Sequence, residues 1–423
     1  MTRPLLYDIT RLVTRIFART PNGIDRVDYG FATHALREDS NRAALMMTPW
    51  GPRVIQAAAA RDALKNIRKH WAEDEDPETS LSYREVVNAL KQPLRQSFRI
   101  SASRHGQFAD FLAWVRRHGI PVRETPGRFL DGDGIYLNVS QFPLGIDSAF
   151  RWLERDHGVR GVFFIHDLLP IETPEFFRPA ERARHERRLR TLARYGSAAI
   201  VSTGLTRRTL ATELSMRGRE DIPILVAPLP VDPAFHVPHS WRPEAAGRPY
   251  FVMIGTIEPR KNHLMILHAW REIIDSYGED APRLVLVGER GWENEQVMDL
   301  IERCPALKGH IILVSGLATP GLRQLIAGAR AVLAPSFEEG YGLPVAEARA
   351  AGAPVIASDI AVFHEIAGAD ATFVDPIDGS GWSAAIRQAW MEDPPPRSSH
   401  KLRCMAEEND QTFRSVEAFL DQL

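Results

Sequence analysis

The chain has 423 residues, 44% of them hydrophobic and 25% charged, with a formal net charge of −2. That length suits two domains of roughly 200 residues each better than a single core, and the near-balanced charge gives no global attraction to nucleic acid. The two cysteines, Cys304 and Cys404, are far apart and lack metal-site spacing, so neither a disulfide framework nor a zinc cluster is indicated and a reducing compartment is the simpler reading.

The opening stretch, MTRPLLYDITRLVTR, is too short and interrupted for a signal peptide or a membrane span. No later run approaches the roughly 18 consecutive apolar residues a span needs. A cytoplasmic protein is the expectation. Short apolar, β-branched runs follow: LLYDI at 5, IYLNV around 136, VFFIHD at 162, AAIVS at 198 and PILVA at 223. A second series comprises YFVMIG at 250, LVLVG at 284, HIILVSG at 310, AVLAPS at 331, PVIAS at 354 and ATFVD at 371. Segments of helical period separate most of them, so the pattern predicts an α/β protein with two doubly wound, parallel Rossmann-like domains.

Between the series, the proline-rich stretch 231–249 predicts an interdomain linker. The expected layout is a first domain over 1–230, a second over 250–392, and a final helix over 393–423 that follows the proline run of EDPPPRSS. Residues 56–125 are polar and helical in pattern and read as an insertion into the first domain. RPAERARHERRLRTLARYGS, residues 178–197, carries seven arginines against two glutamates. Such a helix suits anionic lipid headgroups at a membrane face, an acceptor diphosphate, or plain solvent.

Ligands of open parallel sheets bind at the carboxyl ends of strands, so the loops after AVLAPS and YFVMIG are the places to seek chemistry. In SFEEGYGLPVAEARAAGAPVIAS, a strand leads into a glycine-rich turn and a helix with Pro344 at its first position and Gly352 past its end. A helix start behind glycines suits an anion such as a diphosphate. Glu339 and Glu347 bracket that turn, and carboxylates accept hydrogen bonds from vicinal hydroxyls. A nucleotide sugar has hydroxyls on both sides of its diphosphate. The competing reading makes Glu347 a complement to the helix dipole and Glu339 a solvated loop residue. Likewise Arg260 and Lys261 in GTIEPRKNH are either solvated charge or cations for the same phosphates.

GTIEPRKN, LVLVGERGW and the run from LVSGLATPG to PVIAS resemble the donor half of family-4 retaining glycosyltransferases of the GT-B fold, most closely mannosyltransferases of bacterial O-antigen and other surface polysaccharides. The resemblance covers about 250–376, and Glu339 and Glu347 fill the family's E-x7-E motif. It implies two domains facing across a cleft, with the last helix crossing back to the first. It also implies that Glu339, Gly340, Tyr341, Gly342 and Leu343 contact the donor hexose and diphosphate, that Glu347 contacts the ribose, and that Lys261 neutralises the departing diphosphate with Arg260 as helper. Gly255 and Thr256 line this loop, and Thr256 stands where many members carry arginine. Ser315 and Gly316 fall where the family holds the base. In the first half, TPNGIDRV resembles the family's glycine loop, making Gly23, Ile24 and Arg26 candidates, and FFIHDLLP resembles the stretch whose histidine approaches the donor sugar, here His166 with Asp167 beside it.

The implied reaction is transfer of a hexose, mannose from GDP-mannose, to a lipid-linked or growing saccharide with retention. The donor is a substrate, no cofactor is implied, and the lack of a DxD-type motif predicts metal independence. A UDP- or dTDP-sugar donor is the alternative. A phosphorylase would need a lysine for pyridoxal phosphate, for which no context is seen, and a silent nucleotide-sugar-binding protein would be expected to lose Glu339, Lys261 or the glycine turn.

Overall fold

A computed structural model describes residues 3–15, 20–38, 41–48, 50–71, 76–92, 98–101, 124–130, 133–155, 158–236, 247–392 and 399–423. The chain divides into two units, one of Met1–Ala72, His105–Pro230 and Glu408–Leu423, the other of Glu73–Arg104 and Val231–Glu407. Most of the expected linker (237–246), the proline run (393–398) and residues 102–123 of the expected insertion lie outside the described residues.

Strands β1 (Leu5–Asp8), β2 (Arg42–Thr48) and β3 (Gly51–Gln56) open the chain, and β4 (Phe98–Ser101) belongs to the second unit. With β5 (Gly134–Asn138), β6 (Val159–Ile165), β7 (Gly196–Val201) and β8 (Ile224–Val226), the first three build a seven-stranded sheet in the order β3-β2-β1-β5-β6-β7-β8. Every pairing is parallel except β2 with β3. Runs such as VFFI are buried along their whole length because helices cover both faces of a parallel sheet. The β2–β3 hairpin was not among the expected strands. RAALMMT is built from good helix formers, and GPRVIQ begins with Gly-Pro, which an edge strand tolerates.

The second sheet uses β9 (Tyr250–Ile254), β10 (Arg283–Val287), β11 (Ile311–Ser315), β12 (Val332–Ala334), β13 (Val355–Ser358) and β14 (Ala371–Val374), in the order β14-β13-β12-β9-β10-β11-β4, all parallel. Its central position explains why β9 is so apolar. Phe251, Met253, Leu284, Leu286 and Leu333 share one core with Trp270 and Trp382.

The region read as an insertion into the first domain is divided between the units. Helix Ala57–His70 stays with the first, whereas helix Leu81–Lys91 and β4 join the second. Buried Arg283 fixes that attachment by donating to the carbonyls of Ala89 and Gln92. The last helix, Ser399–Gln422, returns to the first unit as expected. There Glu417 receives His34, Arg37 and Arg42 at 3.1, 3.0 and 3.3 Å, and Phe413 stacks on His34 with ring centroids 4.2 Å apart.

Candidate functional site

The second unit gathers its candidates where β9, β11 and β12 end. After β9 the chain turns through Gly255, whose φ of +147° favours glycine, and a Cβ there would stand 3.2 Å from Lys261 Cε. A 3-10 turn, Pro259–Lys261, then presents Arg260 and Lys261. It is closed by Asn262 in the left-handed region, whose amide donates to the carbonyls of Pro335 (3.1 Å) and Pro376 (2.8 Å). The Phe337 amide donates to the Arg260 carbonyl at 2.9 Å. The loops after β9 and β12 are therefore bound together through their backbones.

That joint buries an ion cluster. Lys261 Nζ donates to Glu339 Oε1, which also accepts from Ser336 Oγ at 2.7 Å, and Arg260 donates to Glu339 Oε2 at 2.7 Å. Arg260 spans a second carboxylate, Glu258 Oε1, at 2.7 Å, and the Glu338 carbonyl at 2.7 Å. Two cations thus meet two carboxylates. Burial alone would raise the Glu339 carboxyl, but Arg260, Lys261 and the Ser336 hydroxyl outweigh it and hold it down at about 2. Burial lowers Lys261 and raises Glu258. The solvated-charge reading of Arg260, Lys261 and Glu339 is excluded: Lys261 and Glu339 are buried and Arg260 is nearly so. A carboxylate offers about four lone-pair sites. Glu339 uses three, so one direction remains for a hydroxyl.

Gly342 caps helix Leu343–Ala350 with φ +95°, and a Cβ there would stand 2.6 Å from the Phe363 ring. The helix begins at Leu343, with Pro344 second rather than first, which puts Glu347 in the second turn. Glu347 is only 1% exposed. Lys261, Ser336, Glu339, Gly342, Pro344 and Phe363 line one small recess. Gly340 and Tyr341 form the turn leading into it, and half-buried Thr256 follows Gly255, its methyl packed against Gly291. Ser315 and Gly316 (φ +71°) end β11 on the same rim of the sheet. Sequence reasoning missed Ser336, Glu258 and Asn262. All three lie inside quoted motifs, but only the folded joint reveals which atoms they meet.

The remaining candidates belong to the first unit. Gly23 and Ile24 open helix Gly23–Ala35, with Thr20, Pro21 and Asn22 leading into it. Asn22 and Asp25 form its capping box, Asp25 also holds Arg11 and Arg15 at 2.9 Å each, and Arg26 reaches the Pro21 carbonyl at 3.4 Å. His166 follows β6 and is 6% exposed. Its Nε2 lies 2.8 Å from the Val139 carbonyl and must carry the proton, while Nδ1 has no partner among the described residues. Burial lowers its pKa to about 4, so at neutral pH Nδ1 is an unused acceptor on a neutral ring. Asp167 accepts from the Leu169 amide at 3.3 Å. Among the described residues no group of three or more His, Cys, Asp or Glu side chains is arranged to hold a metal ion, and no helix is long and apolar enough to cross a membrane.

Residues 248–392 match the family described as Glycosyl transferases group 1, which bears out the resemblance over the second unit. O-antigen chain mannosyltransferase B of Escherichia coli is 30% identical over 239 residues, covering 55% of this chain and 62% of the relative. The serotype-specific mannosyltransferase WbdA of Escherichia coli is 29% identical over 238 residues, or 50% of this chain and 28% of the relative. The alignments thus span under two thirds of either relative. Among solved structures, Anabaena HepE in complex with UDP and glucose superposes with a TM-score of 0.61 at 15% identity, covering 100% of both chains. The Escherichia coli trehalose-6-phosphate structure bound with UDP-2-fluoro glucose gives a TM-score of 0.60 at 14% identity, covering 99% of both chains. These two establish the fold, a GT-B-type pair of Rossmann-like units.

Proposed function

We propose that the protein is a retaining glycosyltransferase that moves mannose from GDP-mannose to a hydroxyl of a lipid-linked or growing saccharide in surface-polysaccharide synthesis. The observation that carries this reading is the buried Lys261–Glu339–Arg260 cluster beside the glycine-capped helix at Gly342, within the stretch that matches group 1 glycosyltransferases. The mannose assignment draws support from relatives named as mannosyltransferases. The structural neighbours hold UDP or a UDP-sugar, which is the observation favouring a second reading, the same transfer from a UDP- or dTDP-sugar.

Glu339 is unsuited to proton transfer at neutral pH, because a carboxyl titrating at about 2 is too weak a base. It serves instead as a fixed acceptor for a donor-sugar hydroxyl and as the counter-ion that orients both cations. A retaining hydrolase would set a carboxylate nucleophile about 5 Å from an acid/base partner; here Glu339 is occupied by three donors. The acceptor oxygen therefore forms its bond to the anomeric carbon on the face from which the diphosphate leaves, and its proton passes to the leaving phosphate oxygen. Lys261 and Arg260 gain interaction energy as negative charge grows on that oxygen, and the Leu343 end of the helix adds its dipole. Gly340, Tyr341, Gly342 and Leu343 are assigned to hexose and diphosphate, with Gly255 and Thr256 beside them. Glu347 is assigned to the ribose, and Ser315 and Gly316 to the base. In the first unit Gly23, Ile24 and Arg26 are assigned to the diphosphate side and His166, as a neutral acceptor through Nδ1, to a sugar hydroxyl.

The test is to incubate the protein with GDP-mannose and octyl α-mannoside and read product mass and anomeric configuration. An α-linked mannosyl product supports the reading; inversion, or no transfer from GDP-mannose while a UDP- or dTDP-sugar is used, removes the mechanism or the donor respectively. Lys261→Ala should lower turnover by about a hundredfold, with a smaller loss of donor affinity. Undiminished turnover would move the diphosphate role elsewhere.

A further inference from the structure

We propose that Arg188, held by Gln141 and His185 in the first unit, binds a phosphate ester group of the acceptor; this rests on the glycosyl-transfer reading above. The helix that carries it, Pro179–Tyr195, is the core of the arginine-rich motif. Arg182, Arg184 and Arg194 are paired with carboxylates on the surface at 3.4, 2.9 and 2.8 Å. Arg188 is not. Its Nη1 donates to Gln141 Oε1 at 3.1 Å and to His185 Nε2 at 2.9 Å.

His185 contributes no charge. Its Nδ1 lies 3.0 Å from the Glu181 carbonyl and carries the proton, Nε2 accepts from Arg188, and burial lowers its pKa. Among the described residues no carboxylate comes within ion-pair distance of this half-buried guanidinium. Burial is the largest influence on its charge and disfavours it; Asp167 and Glu181 favour the charge from further off, while Arg184 and Arg11 oppose it. Gln141 is 8% exposed, its Oε1 is taken by Arg188, and its Nε2 has no partner among the described residues. A buried N–H donor and a cation without a contacting counter-ion therefore share one amide. The complement of that pair is an anion with several acceptor oxygens. A planar guanidinium matches a phosphate better than it matches a neutral hydroxyl. The location fits a substrate: Gln141 follows β5 and Asp167 follows β6, at the carboxyl ends of the first sheet.

The chemistry is that of a phosphate ester, whose sources are an acceptor phosphate, a lipid headgroup or free phosphate. Calorimetry on the full chain saturated with GDP distinguishes them, using octyl diphosphate, octyl α-mannoside, inorganic phosphate and vesicles containing phosphatidylglycerol as titrants. Octyl diphosphate is expected to bind at least about tenfold more tightly than the other three, and Arg188→Ala and Gln141→Leu each to weaken it by about tenfold. Arg188→Lys, which keeps charge without the fork, should fall between. Unchanged melting temperature and GDP affinity would show that the variants are folded. Octyl diphosphate binding that is absent, or equal in wild type and Arg188→Ala, overturns the site. Equal Arg188-dependent binding of inorganic phosphate or vesicles overturns the acceptor assignment. GDP titrated alone reports separately on the donor reading, so its failure is distinguishable from failure of the phosphate site.

Discussion

Arg260 in the second unit and Arg188 in the first are supported in opposite ways. In the second, Arg260 and Lys261 are matched one for one by Glu258 and Glu339, in a buried cluster whose contacts run at hydrogen-bond distance. In the first, Arg188 is supported by an amide and a neutral imidazole, and Gln141 keeps an unused donor. A cluster that contains its own counter-ions is assembled before its ligand arrives and gives up little when the ligand leaves. One that lacks them is completed by the ligand.

The sharpest way to break the comparison is Glu339→Ala. Removing one member of a buried ion cluster leaves its partners desolvated and uncompensated, at a cost of about 3 to 5 kcal/mol, measurable by urea denaturation at neutral pH. Because the folded carboxyl titrates at about 2 against an ordinary 4.5, its contribution is complete above pH 4.5 and is lost as pH falls towards 2. The gap between wild type and Glu339→Gln should close over that window. A gap independent of pH would show that charge pairing is not its origin.

Next in size is Glu347→Ala, which should weaken nucleotide binding by about 1 to 3 kcal/mol through lost ribose hydrogen bonds. Unchanged affinity in equilibrium titration would remove Glu347 from the donor site. The smallest effect belongs to a contrasting cluster, that of Glu417 with His34, Arg37 and Arg42, whose members are partly solvated. Glu417→Gln should cost about 1 kcal/mol or less. If it matched Glu339→Ala, burial would not be what distinguishes the second unit's site.

Much of this was legible in the residues. Central parallel strands are buried on both faces and show as unbroken apolar runs, and β9 to β13 are recognisable for that reason, whereas β14 is an edge strand recognisable only from its β-branched ATFV run. The β2–β3 hairpin and β4 lie at or beside sheet edges, where burial is partial and the pattern weak. The glycine turn and both glutamates were visible as a motif. Its electrostatics were not, because the partners of Glu339 come from a loop almost eighty residues upstream. The same holds for Arg188. One arginine among seven is indistinguishable by sequence, and only the position of Gln141 on a neighbouring loop separates it from those paired at the surface.

A nucleotide-sugar site at Lys261, Glu339 and Glu347 is tested by calorimetric titration of the protein with GDP, UDP and dTDP in the presence of EDTA, repeated on Glu347→Ala. Selective GDP binding that weakens in the variant is expected. Selective UDP or dTDP binding would keep the donor site and replace the donor, whereas binding of none of the three would contradict a nucleotide-sugar site at Lys261, Glu339 and Glu347.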